Sequence, residues 1–364
     1  MTHLALALLA GLVSAVGFAP LDLWPLTILA FAGLLWLTEA APSLRSALAR
    51  GWWFGFGQFL LGLNWIATAF TYQAAMPAWL GWLAVVLLSL LLAVFPAAAA
   101  GLAWRWGKGN ALVRILVLAA AWIVTEWLRG TIFTGFAWNP AGAIWVNLLG
   151  TAGLSQFVGT YGLGGVTVLA GGAIFLLARR RWAAGAACIA PAVLGFVLLS
   201  PIRVTEPAGF RPLIRIVQPN IGQQNKWDPG YERENFRRLA RLAGRPAREP
   251  RLILWPEAAT PDFLSIEPRA RRRLAALIGP NDLLLLGGVE PIFAPDGRGV
   301  AAYNSVYVLP ADARILGRYD KGHLVPYGEY LPMRTLLSGI GLSRLAPGDL
   351  DFRSGPGPRT LDLP

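Results

Sequence analysis

Apolar residues run almost unbroken through the first 200 positions, then give way to short runs separated by charged stretches. Seven segments of the first part approach the ~20 residues that a bilayer's hydrocarbon core requires. They are 4–18, 22–41, 51–71, 78–104, 112–128, 153–178 and 182–200; the first is short and is followed by Pro20. From residue 204 the periodicity changes. Leu213–Gln218, Leu252–Trp255, Leu283–Gly287, Ala302–Leu309 and Arg314–Tyr319 read as strands. Tyr231–Ala243 reads as a basic amphipathic helix, and Glu267–Ile278 as a second helix with Ser265 as its candidate N-cap. Strands that alternate with helices predict an α/β unit with a largely buried sheet. The boundary falls near Ser200–Pro207, which divides the chain into 1–203, a transmembrane domain of about seven helices, and 204–364.

Composition supports the membrane reading. Hydrophobic residues make up 55% and charged residues 14%, against about 25% charged in a soluble domain. A net charge of +12 would point to nucleic acid in a soluble protein. Here basic loops that orient the spans account for it, and no nucleic-acid partner is expected. Arg45 and Arg50 fall between spans two and three, Arg105, Lys108 and Arg114 between four and five, and Arg179, Arg180 and Arg181 between six and seven. The alternate loops carry Asp22, no charge over 72–77, and Arg129 alone. The positive-inside rule then puts the N-terminus inside and, after seven spans, residues 204–364 outside. No basic stretch precedes the first apolar run, so it reads as a span and not a cleavable signal. The single cysteine, Cys188, excludes an internal disulfide.

The segment 126–145 (EWLRGTIFTGFAWNPAGAIW) lies on the outer side in this topology. Its aromatics suit the membrane interface, or a loop that lines a lipid headgroup site. Glu126 and Arg129 stand three apart, the spacing of a helical ion pair.

Chemistry concentrates in the second half. Glu257 follows the strand Leu252–Trp255, and in α/β sheets the strand end is the usual edge of a site. A partly desolvated carboxylate there suits general-base work; the alternative is a surface carboxylate after a strand. Lys321 ends another strand, in YDKGH, where an ammonium can stabilise an oxyanion or simply pair with Asp320. Glu329 lies in a turn between Pro326 and Pro332. Trp227, Asn304 and Tyr327 are candidates to bind substrate or gate the site, with a turn-anchoring role the alternative for Trp227. His323 has no second histidine or cysteine beside it and is a poor metal candidate. Cys188, within the last apolar segment, reads as an inert buried thiol. There is no GxSxG, Walker A, HExxH or CxxC motif.

Five segments together resemble the apolipoprotein N-acyltransferases, membrane-bound members of the nitrilase superfamily: EWLRGTIFTGFAWNP, VQPNIGQQNKWDP, ILWPEAATP, YNSVYVL and GRYDKGHLVPYGEYLP. The resemblance covers the whole chain. It implies a multi-span α-helical membrane bundle that carries an extracytoplasmic α/β domain, an αββα nitrilase-like sandwich. The family uses a Glu–Lys–Cys triad, so Glu257 corresponds to the base, Lys321 to the oxyanion-stabilising lysine, Glu329 to a supporting glutamate and Trp227 to a tryptophan needed for activity. The family's cysteine follows the GRYDKGH block by some tens of residues. The sequence is therefore expected to be truncated at its C-terminus, with the catalytic domain incomplete, the nucleophile and a last span beyond residue 364, and the chain inactive alone. The implied reaction moves an acyl chain from a phospholipid, through a cysteine thioester, to the N-terminal amine of a diacylated apolipoprotein. It needs no metal or redox cofactor. The implied setting is a monomer in the bacterial inner membrane, its catalytic domain on the periplasmic side. A membrane-tethered amidase that transfers to water, or an inactive scaffold, are the rival readings.

Overall fold

The computed structural model describes residues 2–71, 77–199, 213–246, 248–326, 328–331 and 351–363. Two compact units emerge, Met1–Thr205 and Glu206–Pro364.

The first unit is helical. Its helices are α1 (Thr2–Ala15), α2 (Trp24–Glu39), α3 (Leu44–Gly62), α4 (Trp65–Thr71), α5 (Trp79–Leu92), α6 (Val94–Trp106), α7 (Ala111–Thr131), α8 (Leu149–Gly153), α9 (Ser155–Leu177) and α10 (Trp182–Leu199), with a 3-10 turn at Ala141–Trp145. Capping explains several starts. Ser43 accepts from the Ser46 N–H, and Asn110 from the N–H groups of Leu112 and Val113. The core centres on Phe31, Phe54 and Trp122, with the Trp122 ring edge-on to Phe31 at 4.7 Å. α1 lies so close to α3 that a Cβ on Gly11 would stand 2.0 Å from the Phe54 carbonyl oxygen. Such backbone approach is the packing mode of apolar helices in lipid.

Among the described residues four helical stretches are long and apolar enough to cross a membrane: Trp79–Trp106, Ala111–Thr131, Ser155–Leu177 and Trp182–Leu199. The seven expected spans need correction in detail. α1 and α2 are apolar but only 14 and 16 residues long. The expected 51–71 span is two helices, broken at Leu63 and Asn64, and the Asn139 side chain donates to the Gly62 carbonyl where α3 ends. The 78–104 segment divides at Ala93, because Pro96 has no N–H to return to Leu92. α9 kinks at Gly159, whose φ is 69°.

Ion pairs sit inside this unit. Arg114 (2.7 Å) and Arg179, from two of the expected basic loops, both pair with Glu39 at the end of α2. Segment 126–145 contains the ion pair its spacing allowed. Arg129 stands 3.7 Å from Glu126 and donates to the carbonyls of Phe136 and Trp138 at 2.8 and 2.7 Å. Glu126 accepts from the Ala141 N–H at 2.7 Å. The pair thus ties down a loop whose Phe133, Thr134 and Asn139 all have positive φ.

The second unit holds β1 (Leu213–Ile216), α11 (Gln223–Lys226), α12 (Glu232–Ala243), β2 (Arg251–Leu254), α13 (Pro268–Ala275), β3 (Leu283–Phe293), β4 (Gly299–Pro310) and β5 (Gly317–Asp320). The strands form one sheet in the order β1-β2-β3-β4-β5. β1, β2 and β3 are parallel, whereas β4 is antiparallel to both β3 and β5. α12 and α13 share a core with the sheet through Leu239, Leu274, Ile253, Leu284 and Tyr307. The expectation of a largely buried sheet holds for the central strands and fails at β1, where Ile214 and Ile216 are exposed. Two boundaries also differ. α13 starts at Pro268, whose fixed φ suits the first turn, with Glu267 at the N-cap; Ser265 does not cap it, although Glu267 accepts from the Phe263 N–H. The last strand begins at Gly317 and not Arg314, because Asp312 accepts from the Arg314 backbone and side chain while Ala313 turns left-handed at φ 64°.

A buried pair holds the start of β2 and β3. Arg251 and Asp282 meet at 2.5 Å, and Asp282 also accepts from the Gly279 N–H at 2.7 Å. Burial alone would push the Asp282 carboxyl up, but the hydrogen bonds from Arg251 and Gly279 outweigh it and hold it below the usual range. A depressed carboxyl stabilises the fold fully above its unfolded value, about pH 4, and that contribution is lost as pH falls through the folded value. Asp282→Ala strands the Arg251 guanidinium, and we expect a loss of about 3–5 kcal/mol in denaturant unfolding. An unchanged midpoint would show that Arg251 finds water.

Candidate active site

Three turns and one strand build a polar cluster in the second unit. β2 ends at Leu254 and delivers Glu257 on a tight turn. β5 ends at Asp320 and delivers Lys321 immediately after. Asn304 stands in β4, opposite Val289. Glu329 comes from the turn that follows Val325, and its N–H donates back to the Val325 carbonyl at 2.9 Å.

The side chains converge. Lys321 Nζ lies 3.0 Å from Glu329 Oε2 and 3.6 Å from Glu257 Oε1. The Asn304 amide donates to both carboxylates, at 2.8 Å to Glu329 Oε1 and also to Glu257 Oε1. Glu329 Oε2 further accepts from the Val325 N–H at 2.7 Å. The Lys321 N–H donates to the Asn304 carbonyl, so the strand ladder itself sets lysine against asparagine. The two acids differ in environment. The Glu329 side chain is 10% exposed and the Glu257 side chain 62%. The desolvated Glu257 expected from its place at a strand end is therefore not observed; hydrogen bonds and the nearby ammonium hold it, while Glu329 is the enclosed member. An ammonium between an exposed carboxylate and an enclosed one can steady negative charge that develops on a neighbouring oxygen.

Behind the cluster, Ser305 donates to Asp320 at 2.6 Å, and Arg318 joins Asp320 to Glu290. Tyr307 donates to Glu290 at 2.7 Å; burial, with the Glu290 charge, pushes its phenol well above the usual range. Lys321 therefore does not pair with Asp320, the bland alternative for it. Trp227 lines a cleft of about 260 Å³ together with Lys226, Asn235 and Glu257. His323 is exposed. Tyr327 lies outside the described residues.

Comparison with known proteins matches this architecture part by part. Residues 10–173 match the apolipoprotein N-acyltransferase N-terminal domain, and residues 213–353 match the carbon-nitrogen hydrolase domain. The chain is 36% identical to the apolipoprotein N-acyltransferase of Rhodopseudomonas palustris, over 99% of its own length and 71% of the relative's. It is 37% identical to that of Brucella melitensis, over 96% and 69%, and 35% identical to that of Caulobacter vibrioides, over 99% and 70%. The chain belongs to the apolipoprotein N-acyltransferase family.

In this family member the Glu257 turn depends on a residue the sequence did not single out. A Cβ on Gly287 of β3 would fall 2.5 Å from the Ala258 nitrogen and 2.6 Å from Glu257 Cα. The Gly287 N–H donates to the Pro256 carbonyl, and its own carbonyl accepts from Ala259. The turn is thus laid directly on the strand, with Ala258 at φ 46°. Gly287→Val should cost about 1–3 kcal/mol from overpacking and displace Glu257. Equal stability and unchanged turn geometry in a crystal structure of the variant would sink that expectation. A pair of glycines inside an apolar run, GGV after LLLL, is the signal that marks close backbone approach. Lys226, beside Trp227, carries no such signal in sequence.

Proposed function

We propose that this protein is an acyltransferase that moves an acyl chain from a membrane phospholipid to the N-terminal amine of a diacylated lipoprotein. The observation that carries the reading is Lys321 held between Glu257 and Glu329 and bridged by Asn304. Family membership supplies the substrates; the geometry supports the chemistry.

The reaction needs a thiolate at the cluster. Residues 206–364 contain no cysteine, and Cys188 is buried in α10. We assign the nucleophile to a cysteine beyond residue 364. Glu257 takes its proton, and the sulfur attacks the ester carbonyl carbon. Lys321 stabilises the tetrahedral oxyanion, with Glu329 keeping the ammonium in place. Collapse breaks the ester C–O bond; the alkoxide leaves as lysophospholipid, with the proton from Glu257. The lipoprotein α-amine then attacks the thioester carbon, the C–S bond breaks, and the amine's proton returns through Glu257 to the restored thiol. We read the catalytic domain as lying on the periplasmic side of the inner membrane, a reading supported by the charges of the loops. We read the protein as a monomer.

The test is reconstitution of the protein from its complete reading frame in phospholipid vesicles, with a diacylglyceryl-cysteine lipopeptide. A lipopeptide heavier by one acyl chain, and a hydroxylamine-labile acyl-enzyme, are the expected products. Phospholipid hydrolysis with no acylated amine would establish a hydrolase that transfers to water instead. A frame without a cysteine after residue 364 would overturn the mechanism.

A further inference from the structure

We infer that Lys226 is a positioning residue for Glu257, setting where its carboxylate stands by holding its backbone carbonyl; this rests on the role proposed above for Glu257. Lys226 Nζ donates to the Glu257 carbonyl oxygen at 3.0 Å. The residues on either side are tied to β3, through Pro256 and Ala259 to Gly287, but the Glu257 peptide is not. Among the described residues, Lys226 is the group that satisfies that carbonyl. The peptide leads into Ala258, whose left-handed φ of 46° is one that L-residues with a Cβ adopt at a cost. Packing does not fix the Glu257 side chain, which is 62% exposed. Its aim therefore depends on the backbone beneath it and on Asn304 and Lys321 in front.

Lys226 is itself held. It ends α11, and the preceding Asn225 carbonyl accepts from the Asn235 side chain of α12 at 2.9 Å. Its ammonium lies 5.6 Å from the centroid of the adjacent Trp227 ring. Burial pulls the Lys226 ammonium below the usual lysine range, with the Glu257 charge opposing. A charge-assisted bond in so partly dry a place is stronger than the same bond in water. The result is a strut from α12 through α11 to the Glu257 turn. It gives the Lys-Trp pair of NKWDP two tasks: Trp227 lines the cleft, and Lys226 fixes the acid at its edge.

The test compares K226M, K226R and E257Q in the protein from its complete reading frame. Single-turnover thioester formation and the KM for phospholipid are measured in vesicles, below each variant's thermal midpoint. K226M, which keeps the stem and loses the donor, should slow thioester formation by about 10- to 100-fold, since small misplacements of a catalytic group cost that much. Its KM should stay within about twofold, because the strut touches the acid and not the lipid. K226R, which keeps a donor, should recover to within about fivefold of wild type. Wild-type rates in K226M overturn the inference. So does an equal loss in K226M and K226R with a raised KM, which would place Lys226 on substrate. If K226M does not fold, a K226R protein that folds yet loses 10-fold or more also overturns it. A normal rate in E257Q removes the base role itself, whereas loss in E257Q with a normal K226M removes only the strut.

Discussion

Glu257→Gln should lose thioester formation by about 10²- to 10⁴-fold, the range contributed by a positioned general base. The substitution is nearly isosteric. A glutamine Oε1 can still accept from the Asn304 amide as Glu257 does, so the turn and the cluster should stand. What disappears is a site for the thiol's proton. KM for phospholipid should change little, and the loss should appear in kcat. Burst-phase acylation with a labelled phospholipid reads the step directly. Normal acyl-enzyme accumulation would remove Glu257 as the base, and would leave Glu329, enclosed at 10% exposure, as the carboxylate to test next.

Lys321→Met should cost about 10²- to 10³-fold, the scale of one lost oxyanion donor. The loss should fall on both half-reactions, because a tetrahedral oxyanion forms when the thioester is made and again when the amine consumes it. Trapped acyl-enzyme chased with lipopeptide separates the two. A deficit confined to acylation would mean that Lys321 serves the thiol's deprotonation and not the oxyanion. A fall in thermal midpoint should accompany the rate loss. Removing the ammonium takes the nearby cation from the enclosed Glu329 carboxylate, which still accepts from Asn304 and Val325.

Much of this architecture could be read from the chain. The change of pattern near residue 204 marks the transition between a unit of apolar helices and a unit of strands and basic helices. Glu257, Lys321 and Glu329 were all legible, each at the mouth of a run or in a Pro-framed turn. Their mutual distances were not. Lys321 could equally have paired with its neighbour Asp320; the strand register decides against it, because Ser305 and Arg318 already occupy Asp320. Asn304 reads in sequence as a substrate-binding or gating candidate on a strand, yet it bridges two acids far from it along the chain. Helix breaks were equally hidden. Hydropathy counts 51–71 as one apolar segment, while Asn139, 77 positions beyond Gly62, donates to the carbonyl where α3 ends.

Local periodicity and composition determined by themselves that this protein joins apolar, membrane-length helices to an α/β unit, because burying an apolar face is a demand each segment makes alone. The family motifs, and the acids and lysine within them, are likewise properties of short stretches. Only the tertiary structure decided which acid is enclosed, which partner the lysine takes, and that Gly287 and Lys226 seat the Glu257 turn. Those outcomes are set by contacts between residues tens of positions apart, and such contacts form only once the strands have paired in one register.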